Sequence, residues 1–210
     1  MPAILRALLA CCLLTPALLL AQPKLMPVDE GPSDPEFFAF RAQLQIAIAR
    51  HDARAIEAAL DPQVKLSFGE ANGLEDFKKI WRPDAPDSAL WETLGTVLAL
   101  GGSFDTQGDF YAPYVASKWP QDLDVYEHMA TIATGVPVLQ APKPGATVIA
   151  KLDFAIVEVG RWDARWIPVK LSEHRKGYVE RRFLRTFVDH RVVLSKRSGS
   201  WRIDLFLSGD

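Results

Sequence analysis

The sequence predicts an α+β chain. A mixed helical/β N-terminal domain is followed by a small β-barrel and then by a C-terminal hairpin. Three observations predict this. Apolar residues from Phe37 to Leu60 recur at helical spacing. From about Thr131 the texture changes to short strand-like runs separated by turn residues, at the spacing of a small barrel. The last residues read "RVVLSK", a Ser-Gly-Ser turn, then "WRIDLFL", which is the pattern of a hairpin.

The chain opens with one positive charge, Arg6, and an apolar run from Ala7 to Ala21. That run is shorter than a membrane span of about 20 residues and fits a secretory signal cleaved after Ala21. This is preferred over an uncleaved anchor, because no long apolar run follows. It is also preferred over lipoprotein processing at Cys11, where "LLAC" would leave an h-region of only a few residues. Residues 1–21 are therefore assigned as signal peptide. Both cysteines, Cys11 and Cys12, fall inside it, so the mature chain has no disulfide framework, thiol nucleophile or cysteine metal site. The expected location is periplasmic or secreted, with no integral membrane span after cleavage.

Residues 22–35, "QPKLMPVDEGPSDP", hold four prolines without apolar periodicity and read as a flexible leader. The first domain is placed at residues 36–130. Asp34 is a good N-cap and Pro35 suits the first turn. Phe37, Phe40, Leu44, Ile48, Ile56 and Leu60 follow at helical spacing, with a break and a new cap near Asp52. Val64, Leu66 and Phe68 alternate as a strand. "LEDFKKIW" is a short helix with Leu74, Phe77 and Trp81 on one side, and Asp87 or Ser88 caps another helix, which runs to Leu100. Residues 104–120 are aromatic and irregular, with a strand expected around Tyr114 to Lys118.

Between residues 131 and 187, "VPVLQ", "TVIAKL", "FAIVEVG", "RWIPVKL" and "KGYVE" succeed one another as strands, and residues 188–210 form the hairpin. In this order the stretches resemble the bacterial SH3-like (SH3b) domain. Trp166 to Val169 stand for its central strand, and Gly177, Tyr178 and Val179 for the one that ends in a helical turn. "RHDARAIEAALDPQVKLSFG" and "GLEDF" more faintly resemble the start of an NTF2-like cone, and "SGSWRIDLF" resembles its last strands. On that reading the hairpin returns to the first domain; the alternatives are that it extends the barrel or packs between the domains. The resemblance implies an exported protein facing the periplasm or wall, and it transfers no catalytic residue.

The formal net charge is −2, unevenly spread. Residues 22–160 carry 11 Lys/Arg against 20 Asp/Glu, and residues 161–202 carry 12 against 4. The basic end suits an acidic partner, or the two halves attract each other, or the charges are simply solvated. Nucleic acid is a poor partner for an exported protein of net negative charge. The four histidines show no metal-ligand spacing, and there is no nucleophile elbow or phosphate loop. "DTQGD" at 105–109 reads as a turn rather than a calcium loop, and Asp122 with Asp124 as a solvated edge rather than an acid–base pair. No cofactor or metal is expected.

Two surfaces remain as candidates for binding. The first is aromatic: Tyr111, Tyr114 and Trp119 suit a sugar or peptide, or else seal the domain junction. The second is a basic rim: Arg165, Lys176, Arg181 and Arg182. The function expected is a non-enzymatic binding module whose SH3-like domain docks a wall peptide or an envelope protein. The alternative is an NTF2-like enzyme or small-molecule binder with a pocket in the first domain, or a purely structural partner whose charged halves pair internally.

Overall fold

The first helix, α1 (Pro35–Ala49), starts where its cap residues place it. The Asp34 carboxylate accepts from the amides of Glu36 and Phe37 at 2.9 and 3.0 Å, and Pro35 fills a position whose N–H has no partner. Asp52 caps α2 (Ala53–Ala59) by accepting from Ala55 N. Then come β1 (Leu60–Lys65), α3 (Gly73–Trp81) and α4 (Leu90–Ala99). Gly101, at φ +66°, supplies the left-handed residue that ends α4. The computed structural model describes residues 22–209, and the expected signal segment lies outside the described residues.

The remaining elements are β2 (Ser103–Phe104), β3 (Phe110–Ala112), α5 (Tyr114–Ser117), β4 (His128–Thr131), β5 (Val136–Leu139), β6 (Val148–Leu152), β7 (Ile156–Val159), β8 (Trp166–Ser172), β9 (Arg175–Glu180), β10 (Leu184–Arg185), β11 (Arg191–Arg197) and β12 (Ser200–Leu207). The described residues are thus mixed α+β, with five α-helices and two sheets. Among them no helix is long and apolar enough to cross a membrane.

The first sheet has the order β1-β12-β11-β3-β2. The hairpin β11–β12 thus lies at its centre, parallel to β1 on one side and antiparallel to β3 on the other. One face of this sheet packs on the helices. Val192, Leu194, Phe110, Ile203 and Phe206 meet Phe37, Leu44, Phe77, Trp81 and Leu94 in one core. A bulge makes this possible. Val193 pairs with Leu205 and Leu194 with Ile203, leaving Asp204 as the extra residue. A strict alternation would turn Ile203 and Phe206 to opposite faces; the bulge brings both to the core.

The second sheet has the order β10-β4-β7-β8-β9-β5-β6 and is open. This corrects the expected barrel: β10 and β6 are its two edges, and no ladder joins them. The sheet still covers itself. Leu184 of β10 and Leu152 of β6 share one apolar cluster with Met129, Val138, Ile167 and Val179, to which no helix contributes. Gly177 is required by close approach rather than by φ, because a Cβ there would run into Val138, Ile149 and the Leu139 carbonyl of the neighbouring strands.

Three further expectations are corrected. Residues 22–35 are an ordered strap, not a flexible leader. Leu25 N donates to Phe154 O at 2.8 Å, Ile156 N donates to Pro23 O at 2.7 Å, and Lys24 bridges Ala155 as a strand would. Leu25 is buried at the junction of the two sheets with Tyr114, Val115, Ala130 and Ile156. Proline-rich chain favours an extended backbone, which suits strand-like docking. Further along, Arg41 holds Asp29 through two bonds of 2.5 and 2.9 Å. Burial works against the Asp29 charge, but this fork and the Gly31 amide keep the carboxyl below its usual range. Second, Tyr114–Ser117 is a helical turn and not a strand. Third, Phe68 lies beyond the end of β1 and is 62% exposed, where the alternation predicted an inward side chain.

Candidate binding groove at the sheet junction

The predicted residues do not form one site. Tyr114 is buried in the junction cluster, 1% exposed, and burial pushes its hydroxyl up to about 12. Trp119 packs against the same cluster and donates Nε1–H to Leu123 O at 3.0 Å. Tyr114 seals the junction and Trp119, partly buried, packs over it. Tyr111 is different. It sits on β3 opposite Ser103 and Val193, on the face turned away from the helices, and lines a groove.

The arginines of the basic rim share two carboxylates of their own stretch, which leaves the rim net positive. Arg165 and Arg182 both pair with Glu180, at 3.2 and 3.0 Å. Their guanidinium groups also lie near Trp166 and Phe183. Arg181 pairs with Asp189 at 2.6 Å and donates to Leu184 O, and Arg185 reaches the same aspartate at 4.0 Å. These carboxylates belong to the basic stretch itself, so the rim is not held by the acidic first half. Lys176 lines a shallow depression with Glu158, Pro168 and Lys170. The ion pair between Lys196 and Glu36, at 2.7 Å, does join the two halves.

The groove that contains Tyr111 measures about 360 Å³. It runs along the edge of the first sheet, between β2, α5 and the segment that returns from the second sheet. Phe187 is an apolar wall, Phe104 borders the groove while its ring packs on Phe37 and Phe110 in the first core, and Lys118 and Arg191 bring positive charge. Lys118 is tied to Glu30 of the strap at 3.1 Å, while Glu30 also accepts from Phe104 N at 2.9 Å. The Asp105 Oδ1 holds its own loop, accepting from the amides of Gln107 and Asp109. Burial raises the Tyr111 hydroxyl pKa, and Asp105, Asp109 and Asp204 raise it further, so this group stays a protonated donor.

Arg191 is the residue that sequence reasoning missed. Its guanidinium carbon lies 5.2 Å from the Phe187 ring centroid and 5.6 Å from that of Phe68. Its hydrogen bond goes to Phe187 O, at a long 3.4 Å. Burial pushes its pKa down. Among the described residues no carboxylate lies within 4.0 Å of it.

Groups suited to catalysis are dispersed. His190 packs on Trp81 and Phe206, His51 stacks on Trp91, and His128 Nδ1 lies 3.1 Å from Asp124 O. The Asp124 carboxylate caps the amides of Tyr126 and Glu127. Among the described residues no group of three or more His, Cys, Asp or Glu could hold a metal ion. The space where an NTF2-like pocket was expected is filled by Phe37, Phe77, Phe110, Trp81 and Trp201, with Phe40 packed against them. Compared with known proteins, the chain matches no family model, no curated protein and no solved structure.

Proposed function

We propose that the protein is an exported, non-enzymatic binding module of the cell envelope, periplasmic or secreted, that docks a wall peptide or an envelope protein. The junction groove carries this reading: a half-buried cation without a carboxylate partner among the described residues, a protonated tyrosine and an aromatic wall converge there. A few polar groups in an aromatic-walled cleft are what a recognition site needs. A reaction would also need a nucleophile beside a base, and His51, His128, His190 and Asp124 are engaged away from the groove. Residues 131–187 act in this reading as a divergent, unclosed SH3-like unit. Its support is the order of the stretches and the tight β8–β9 ladder, in which Val169 faces Gly177 and Ile167 faces Val179.

The role of the SH3-like unit thereby shifts. The arginines of its rim are paired with Glu180 and Asp189, and the groove is lined from the first sheet, α5 and the returning segment, so the groove rather than the rim is the main contact. The test is retention of the processed protein on purified wall sacculi at low salt, where charge attraction is strongest, together with crosslinking in the native envelope. Retention, or a specific crosslinked envelope protein, is the expected result. The absence of both retention and a crosslinked partner would overturn the reading.

A further inference from the structure

Arg191 is set apart by where it lies. Arg161, Arg165, Arg181, Arg182, Arg185 and Arg197 each have a carboxylate within 4.0 Å. Among the described residues Arg50, Arg54 and Arg175 lack one but are exposed, and Arg202 lacks one but donates to Ala58 O and does not line the junction groove. Arg191 has none among the described residues, although it is more buried than a typical surface arginine. A guanidinium offers five N–H donors in a fixed fork, and one long bond to Phe187 O uses only one of them. Arg191 lies half-buried between two aromatic rings and opens onto a groove of about 360 Å³, with most donors of its fork left for an occupant.

The charges of the lining leave one cation open. Lys118 is held by Glu30, and Asp105 Oδ1 accepts from the amides of its own loop, whereas Arg191 has no carboxylate within 4.0 Å among the described residues. Tyr111 adds a hydroxyl donor, and Phe187 offers apolar surface beside the charged end. The volume lies near the bottom of the range of about 300–1,000 Å³ for small-ligand sites, room for a chain end rather than a long peptide.

We propose that the junction groove binds the terminal carboxylate of a short peptide, with Arg191 taking the carboxylate and Phe187 flanking the apolar side chain next to it. This rests on the reading of the protein as a binding module and names the ligand class of that groove. The guanidinium is already positioned by Phe68 and Phe187, so little side-chain freedom remains to be lost on binding.

The experiment is titration calorimetry of the processed protein with three probes: N-acetyl-Ala-Phe as the free acid, the same peptide as its C-terminal amide, and benzoate. Charge-assisted hydrogen bonds of this kind correspond to a preference of roughly 10- to 100-fold for the acid over the amide. Arg191→Met should abolish that preference. Tyr111→Phe removes a single hydroxyl, keeps the ring in place, and should weaken the acid alone by about 3- to 10-fold; it keeps the test decisive if Arg191→Met alters folding. Equal binding of acid and amide, or no binding of the acid at millimolar concentration, would overturn the carboxylate site. Benzoate binding as tightly as the dipeptide would overturn the peptide assignment in favour of a small free acid. Sacculus retention together with loss of the acid preference would remove this site and leave the binding module standing.

Discussion

The two sheets must each take an apolar face out of water, and they do so in different ways. The first leans on helices: β3, β11 and β12 press Phe110, Leu194 and Phe206 against α1, α3 and α4. The second has no helix to lean on. Its seven strands turn their side chains onto one another, so that the two edge strands contribute to one cluster without pairing. The connectivity differs as well. The second sheet is made from one unbroken stretch, 128–185, whereas the first draws strands from residues 60–65, 103–112 and 191–207. The central strands of the first sheet arrive last in the chain. The second unit is thus an excursion that leaves after α5 and returns at β11. The groove lies where excursion and return meet.

The largest expected effect separates the two cores. Phe37 is fully buried and touches Phe104, Phe110 and Trp201, three residues from the middle and last segments of the first sheet. Phe37→Ala should destabilise the protein by about 3–5 kcal/mol. Native-state hydrogen exchange should show lost protection in β11, β12 and α1 while β8 and β9 keep theirs. Equal loss in both sheets would mean that the cores unfold as one unit, and the comparison would fail.

The second effect concerns what joins them. Leu25 of the strap inserts between the sheets and is 5% exposed. Leu25→Ala should cost about 2–3 kcal/mol, the lower part of the range for buried leucine, because the cavity opens at the junction rather than inside a core. Thermal unfolding should then separate into two transitions, since the strap also bonds Phe154 and Ile156 of the second unit and, through Glu30, Gly102 and Phe104 of the first. A single transition with an unchanged midpoint would show that the strap does not couple the units.

Local rules made part of this legible. Asp34-Pro35 and Asp52 announced their helices because capping is a matter of neighbouring residues. The Ser198-Gly199 turn announced the hairpin for the same reason. The Asp204 bulge was hidden, because nothing in "WRIDLFL" says that Ile203 and Phe206 must both face the helices. The strap was misread since its partners, Phe154, Ile156 and Leu171, lie about 130 to 149 residues away and its composition alone resembles a linker. The open edge of the second sheet depends on which distant strands pair, and alternation does not fix that. In the site, Tyr111 was found as an aromatic in an irregular stretch. Arg191 was passed over inside a hairpin strand, because lacking a carboxylate is a property of three-dimensional surroundings.

The smallest effect tests the rim against the groove. Glu180 is the shared partner of Arg165 and Arg182, whose side chains are 69% and 70% exposed. Exposed pairs of this kind contribute about 0–1 kcal/mol, so Glu180→Gln should leave the unfolding midpoint nearly unchanged. It should, however, release two guanidinium groups and raise the local charge by one. If the rim only solvates the second unit, the variant will show the same sacculus retention and the same acid-over-amide preference as the parent chain. If retention at low salt rises several-fold while the peptide preference stays fixed, the rim is a second contact surface, normally muted by Glu180. The contrast between a satisfied rim and an unsatisfied Arg191 would then describe two binding strengths on one molecule rather than one site and one inert face.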